Sequence, residues 1–162
     1  MSLEQSPSKT FSSASAPDSE SCLRRYADVL ASLTVESLPT LIALTSQQVR
    51  FSDPFHRIEG QDRFKAVMQD MFTRLDDVCF RVHQVAPLAN DTMRGGFLYW
   101  TFTANSKLTG TFSFEGTSLI GLDVEGLVCR HEDYWDSAAL YRHIPGLGVL
   151  FRWLQRKAAC QV

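Results

Sequence analysis

The stretch "LVCRHEDYWD", residues 127–136, places a histidine and a carboxylate on a strand face that should be buried. Successive side chains of an extended chain point to opposite faces. One face therefore carries Leu127, Cys129, His131, Asp133 and Trp135. Buried ionisable groups are costly unless they are paired or hydrogen-bonded, and imidazole is the natural proton carrier near neutral pH. We therefore predict that His131 and Asp133 belong to a functional site; the alternative is architectural, with His131 bonded to a backbone carbonyl and Asp133 to a loop amide.

A second inward carboxylate is predicted in "VRFSDPF", residues 49–55. Alternation places Asp53 on the same side as the apolar Val49, Phe51 and Phe55. An apolar surrounding disfavours the charged form of a carboxylate and makes it a better base near neutral pH. The competing interpretation is an Asp-Pro turn in which the carboxylate accepts local backbone hydrogen bonds.

Composition indicates one globular domain. The 162 residues are 44% hydrophobic and carry a net charge of −2, which gives no electrostatic reason to expect nucleic acid or a membrane as partner. Four scattered cysteines without CxxC spacing predict no metal site and a reduced, cytoplasmic protein. We expect a disordered Ser/Pro-rich tail over residues 1–18 and a single domain over 19–162. No phosphate-binding glycine loop or nucleophile elbow is present, and we expect no cofactor.

Helical periodicity is confined to the first half of the chain and to its end. A first helix is predicted over 19–33, with Tyr26 on its apolar stripe, and a second over 35–44. A third follows Gly60, and its buried stripe includes Met71. The end, "IPGLGVLFRWLQRKAA", predicts a last amphipathic helix after a Pro-Gly break.

Between these helices the hydrophobic period changes to two. Candidate antiparallel strands cover 78–87, 92–105, 108–122 and 126–135. Helices followed by a strand meander predict an α+β fold, with the helices on one face of a curved antiparallel sheet. The strand at 92–105 is apolar on both faces, which predicts a homodimer that covers the outer sheet face.

Several motifs, in this order, resemble the SnoaL-like and ketosteroid isomerase-like branch of the nuclear transport factor 2-like superfamily. They are "RY" in the first helix, "VRFSDPF", "FEGTSLIGLDVEG" in the penultimate strand, and "HEDYWD" followed by "IPGLG". The resemblance covers roughly residues 20–158. It implies a cone: a bent sheet wrapped around helices, with an apolar pocket open at one end and dimers formed through the outer sheet face.

The resemblance also implies roles for single residues. Asp53 matches the Asp-Pro base of ketosteroid isomerases, and Tyr26 matches the tyrosine that donates to the developing enolate oxygen. Those isomerases have a protonated acid as second donor on the penultimate strand, where this chain has Ser118, a neutral and weaker donor. Epoxide hydrolases of this fold use acids bracketing an arginine, but Arg50 and Arg130 alternate away from the inward acids.

We therefore expect a conical pocket that binds a small, largely apolar molecule carrying at least one oxygen function. The leading hypothesis is cofactor-independent proton transfer of the isomerase or cyclase type, with Asp53, His131, Asp133 and Tyr26 as catalytic residues. The alternative is a non-catalytic ligand-binding or stress-related accessory protein. Predicted ligand contacts are Ser118, Trp135, Phe55, Phe114, Met71 and Trp100.

Overall fold

Within the described residues, the chain forms a six-stranded mixed sheet with three helices packed against it. The computed structural model describes residues 17–88 and 94–138. The elements are α1 Ser19–Ala31, α2 Leu38–Ala43, β1 Thr45–Ser52, β2 Arg57–Glu59, α3 Gln61–Arg74, β3 Asp76–Pro87, β4 Gly95–Ser106, β5 Gly110–Leu122 and β6 Val128–Trp135. The predicted α+β architecture with a curved, open sheet is confirmed.

The helices begin where the sequence supplies start signals. Asp18 caps α1, since its Oδ2 accepts hydrogen bonds from the backbone N–H (2.9 Å) and the hydroxyl (2.6 Å) of Ser21. Pro39 is tolerated in the first turn of α2. Gly60 precedes α3 with φ of 106°, a conformation that suits glycine. The buried side of α1 carries Leu23, Tyr26, Ala27 and Leu30.

The strand order is β2-β1-β6-β5-β4-β3. Strands β3 to β6 form the predicted antiparallel meander. Strand β1, however, pairs with β6 in parallel, so the sheet is mixed rather than antiparallel. A parallel pair needs a long crossover, which α3 and β3 to β5 supply here. Strand β2 was not predicted, because three residues are too few to show an alternating pattern.

The alternation expected along the last strand is interrupted near its start. Gly121 pairs with Arg130 and Leu122 with Val128, so Cys129 is the extra residue of a β-bulge. Val128 is consequently buried, whereas Leu127 and Cys129 are only partly buried. The expected common face of residues 127–135 is therefore correct only from His131 onwards.

Two expectations lie outside the described residues: the disorder of the tail, of which only positions 17 and 18 are described, and the C-terminal helix after Pro145. Among the helices that are described, none has the length and apolarity needed to cross a membrane.

The placement of Trp100 depends on a glycine on the neighbouring strand. Trp100 and Gly116 are paired across β4 and β5, and a Cβ at position 116 would lie 2.4 Å from the indole ring. Only glycine leaves room for this ring, which is 2% exposed and lies in a closely packed core.

We expect Gly116→Ala to displace Trp100 and to lower the free energy of unfolding by about 1–3 kcal/mol, the usual cost of overpacking. Urea unfolding together with near-UV circular dichroism would measure both effects. Thr117→Ala, the adjacent change on the opposite face, is the control. Equal stability of the Gly116→Ala variant and the wild type would contradict this packing.

Candidate active site

Five side chains form a continuous hydrogen-bond chain through the core. The Tyr26 hydroxyl lies 2.8 Å from Nδ1 of His131, and Nε2 of His131 lies 2.8 Å from Oδ1 of Asp133. The same Oδ1 accepts the hydroxyl of Ser118 at 2.5 Å. Ser118 in turn accepts the indole N–H of Trp100 at 2.7 Å. His131 and Asp133 are thus bonded to side chains rather than to the backbone groups that the architectural interpretation required.

Sheet register explains how these residues meet. Ser118 of β5 is directly opposite Asp133 of β6, and Trp100 of β4 is the diagonal neighbour of Ser118. Helix α1 crosses the same face and brings Tyr26 to the imidazole. The His131 ring, 2% exposed, also packs against Phe51 with ring centroids 5.3 Å apart.

The donor and acceptor roles follow from chemistry. An ionised Asp133 only accepts, so Nε2 of His131 carries a proton, and Nδ1 is then free to accept the Tyr26 hydroxyl. With this tautomer, both ring nitrogens of His131 have a hydrogen-bond partner. Burial, followed by the charge of Asp133, raises the pKa of Tyr26 well above its usual value and keeps its hydroxyl protonated.

Asp133 is also on the wall of an apolar cavity of about 350 Å³. The cavity lies between α3, the inner face of the sheet and the β4–β5 turn. Its wall includes five of the six predicted ligand contacts, namely Phe55, Met71, Trp100, Phe114 and Trp135. The indole of Trp135 stacks on Phe114 with ring centroids 4.3 Å apart. Ser118, the sixth, is 0% exposed and lies behind this wall.

Asp53 lies on the same wall but is engaged locally. Its Oδ1 accepts the backbone N–H groups of Phe55 (2.7 Å) and His56 (2.5 Å). The Nδ1 atom of His56 lies 3.0 Å from Oδ1 and 3.1 Å from Oδ2. Asp53 thus combines the inward orientation with the turn-forming role that was its alternative interpretation.

Parallel pairing brings the two carboxylates together. Phe51 pairs with His131 and Ser52 with Glu132 across β1 and β6. Asp53 and Asp133 each follow directly after this last pair, on strands whose neighbours lie about 4.8 Å apart. The same cavity wall therefore presents both acids.

The structure separates the predicted catalytic residues into two layers. Asp53 and Asp133 line the cavity, whereas Tyr26 and His131 are buried behind it. His56 also lines the cavity and was missed. It lies in a loop without periodicity. The sequence feature that could have indicated it is its position three residues after Asp53, in a turn-forming Asp-Pro segment. Within residues 17–88 and 94–138, no cluster of His, Cys, Asp and Glu is arranged to hold a metal ion.

A family model described as the SnoaL-like domain matches residues 23–131. The chain therefore belongs to the SnoaL-like family. No curated protein matches the sequence.

Solved structures of the same fold are distant in sequence. A nuclear transport factor 2-like protein of unknown function from Exiguobacterium sp. 255-15 is 20% identical, with a TM-score of 0.61 over 71% of this chain and 98% of its own. A protein from Pseudomonas putida KT2440, named as a candidate polyketide cyclase, is 16% identical, with a TM-score of 0.62 over 78% and 97%. An LEH-like epoxide hydrolase from M. tuberculosis is 19% identical, with a TM-score of 0.60 over 80% and 93%. At these identities the likeness establishes the fold.

We expect Tyr26→Phe to lower the free energy of unfolding by about 1–3 kcal/mol at neutral pH, because Nδ1 of His131 loses its buried partner. The raised pKa of Tyr26 means that its stabilising contribution is present below about pH 10, where unfolded tyrosine titrates, and is lost as the pH rises above that value. The stability gap between wild type and variant should therefore narrow above pH 10.

Urea unfolding between pH 7 and 10.5 measures this gap. The pKa values of Tyr99 and Tyr134 are also raised, by hydrogen bonds to Glu115 and Glu132, but both residues are present in both proteins, so the difference reports Tyr26. A stability difference between wild type and Tyr26→Phe that stays constant over this pH range would contradict the assignment of the Tyr26 hydroxyl as the partner of His131 Nδ1.

Proposed function

We propose that the cavity binds a small, largely apolar molecule with at least one oxygen function, and that Asp133 transfers a proton on it without a cofactor, in an isomerase- or cyclase-type reaction. The observation that carries the proposal is the state of the Asp133 carboxylate. Its Oδ1 takes the hydrogen bonds from His131 and Ser118, whereas its Oδ2 has no partner among the described residues. The oxygen with unused lone pairs belongs to a side chain that lines the cavity.

The surroundings suit a general base. Apolar side chains form most of the wall, and the majority of these are aromatic. Tyr26, His131 and Ser118 hold the carboxylate in one orientation. A positioned base is more effective than a mobile one because its reacting geometry is already formed. Asp53 is a second carboxylate on the same wall.

The names of structural neighbours agree with this chemistry. Besides the candidate polyketide cyclase, a candidate isomerase from Bacillus subtilis shares the fold at 14% identity and a TM-score of 0.60. The fold itself hosts many functions, and so the proposal rests on the Asp133 network rather than on these names.

One observation favours the alternative, a binding protein without catalysis. Asp53 is bonded to two backbone N–H groups of its own loop, as a structural turn residue would be. The two functions differ in what a bound molecule undergoes: a binder holds it unchanged, whereas an enzyme exchanges or removes one of its protons.

The ring opening of 5-nitro-1,2-benzisoxazole tests Asp133 without knowledge of the natural substrate. A base removes the proton on C3, the N–O bond breaks, and a coloured cyanophenolate forms. We expect the wild type to accelerate this reaction and Asp133→Asn to lose roughly 10²- to 10⁴-fold of the rate, as is usual for a general base. Its thermal stability should hold or rise, because Asn keeps the shape and removes a charge from an apolar wall.

Glu132→Gln is the matched control, since Glu132 is the adjacent acid on the same strand and is paired with Arg130 outside the cavity. It should leave the rate unchanged. A destabilised Asp133→Asn variant that still binds the benzisoxazole, together with a wild type that does not open it, would assign the network to architecture and favour the binding protein.

We also propose a homodimer through the outer face of the sheet. On β4 the inward Leu98 and Trp100 are buried, whereas the outward Phe97 and Tyr99 are 39% and 37% exposed. Adjacent exposed aromatic side chains on a sheet face are typical of an interaction surface.

We expect the wild type to sediment as a dimer at micromolar concentration and the double variant Phe97→Lys/Tyr99→Lys to sediment as a monomer, because apposed lysines repel each other across a two-fold interface. Val124→Lys, at an exposed turn position, is the control and should remain a dimer. A monomeric wild type would contradict the proposal.

A further inference from the structure

A second carboxylate–histidine pair, Asp53 and His56, lines the cavity. In this pair the histidine, and not the carboxylate, is the more exposed member. In the first pair Asp133 faces the cavity and His131 is buried behind it. In the second pair the more exposed member is the imidazole: the His56 side chain is 41% exposed and Asp53 is 14% exposed. Both pairs contribute to one wall, because β1 and β6 end side by side.

The hairpin between β1 and β2 fixes the second pair. Ser52 pairs with Arg57, so Asp53 and His56 face each other across the two-residue loop Pro54–Phe55. The Asp53 N–H donates to the His56 carbonyl at 3.0 Å, and the His56 N–H returns to the Asp53 carboxylate at 2.5 Å. Backbone bonds on both sides of the loop therefore hold the imidazole against the carboxylate.

The contacts assign different tasks to Asp53 and His56. Asp53 Oδ1 already accepts two backbone N–H groups, which leaves it a poorly placed base. Because a carboxylate only accepts, the ring nitrogen that faces it, Nδ1 of His56, carries a proton. The other nitrogen, Nε2, has no partner among the described residues. In the protonated ring Nε2 is a donor, and in the neutral ring it is an acceptor.

We propose that His56 is the second proton carrier of this site and acts through Nε2 as the general acid that complements Asp133. This inference rests on the proposed function, and it adds a residue and a reaction class to it. Asp53 is the positioning residue that selects the tautomer. The greater exposure of His56 suits the task, since a general acid must recover its proton from water after each turnover.

Two carriers on one wall favour a defined class of reaction. Asp133 removes a proton from carbon while His56 gives a proton to the oxygen on which negative charge develops. Enolisation of a ring ketone and elimination of an oxygen leaving group both belong to this class. A site with a base alone would instead leave that oxygen to water or to the bulk solvent.

A comparison of two benzisoxazoles separates the acid from the base. In each, Asp133 takes the C3 proton, the electron pair forms the nitrile and the N–O bond breaks. In the parent compound the phenolic oxygen takes the proton of His56 Nε2, whereas the nitro compound leaves as the phenolate. The nitro group of 5-nitro-1,2-benzisoxazole delocalises the charge on that oxygen, so little protonation is needed. The parent 1,2-benzisoxazole has no such group and depends on the acid.

We expect His56→Gln to lower the rate with the parent compound by about 100-fold more than the rate with the nitro compound, at the lower end of what a general acid contributes. Asp133→Asn should lower both rates by a similar factor. His83→Gln is the matched control, since His83 is an exposed histidine bonded to Thr101 away from the cavity, and it should change neither rate.

The failures of the two proposals can be distinguished. Equal losses with both compounds in His56→Gln, or no loss with either, would overturn the role of His56 while the Asp133 effect stands. Retention of both rates in Asp133→Asn would overturn the base, and with it the paired acid.

Discussion

A buried imidazole that is satisfied at both nitrogens is the constraint on which the rest of the site depends. His131 is 2% exposed among aromatic rings, and an unpartnered nitrogen there would cost about 1–3 kcal/mol. Its two bonds fix α1 relative to β6 through Tyr26 and orient the carboxylate of Asp133. Ser118 of β5 donates to Asp133, and Trp100 of β4 donates to Ser118, so the same network also joins these two strands. Among the described residues, no buried side-chain nitrogen or oxygen lacks a partner.

The parallel pairing of β1 and β6 creates a second constraint, because it places two acids side by side. Like charges at short range disfavour each other, and an apolar wall adds a desolvation cost. Each acid is compensated separately: Asp53 by backbone N–H groups and His56, and Asp133 by His131 and Ser118. Backbone N–H groups of its own loop stabilise Asp53, whereas side chains of the buried network stabilise Asp133. The two acids therefore differ in their surroundings. Asp53 is held by its own loop, whereas Asp133 is held from behind and has one oxygen, Oδ2, without a partner among residues 17–88 and 94–138.

The regular parts of this arrangement were predictable from sequence, and the local irregularities were not. Alternation along a strand gave the inward direction of Asp133, and the 3.6-residue period gave the burial of Tyr26, because both depend only on which face meets the core. The bulge at Cys129 depends on pairing with β5 and leaves no mark in the sequence of β6. The parallel partner of β1 lies some 80 residues away, beyond the reach of local patterns. His56 was missed for a related reason: its importance comes from the hairpin register with Asp53, not from any periodicity of its own.

The resemblance to ketosteroid isomerases predicted that Tyr26, and in part Ser118, would donate to a ligand oxygen. In the structure both hydroxyls point to other protein groups, Tyr26 to His131 and Ser118 to Asp133, and neither lines the cavity. The donors of the isomerase pattern are thus present in the chain, and both are hydrogen-bonded within the Asp133 network. A reaction that builds negative charge on an oxygen needs a donor at the cavity wall. Arg74 lies on the described wall with its guanidinium paired to Asp70, and the ring of His56 lies on the same wall beside its own carboxylate. The proposed donation to a ligand therefore falls to His56 at the β1–β2 hairpin, since Tyr26 and Ser118 are hydrogen-bonded to protein groups in the core.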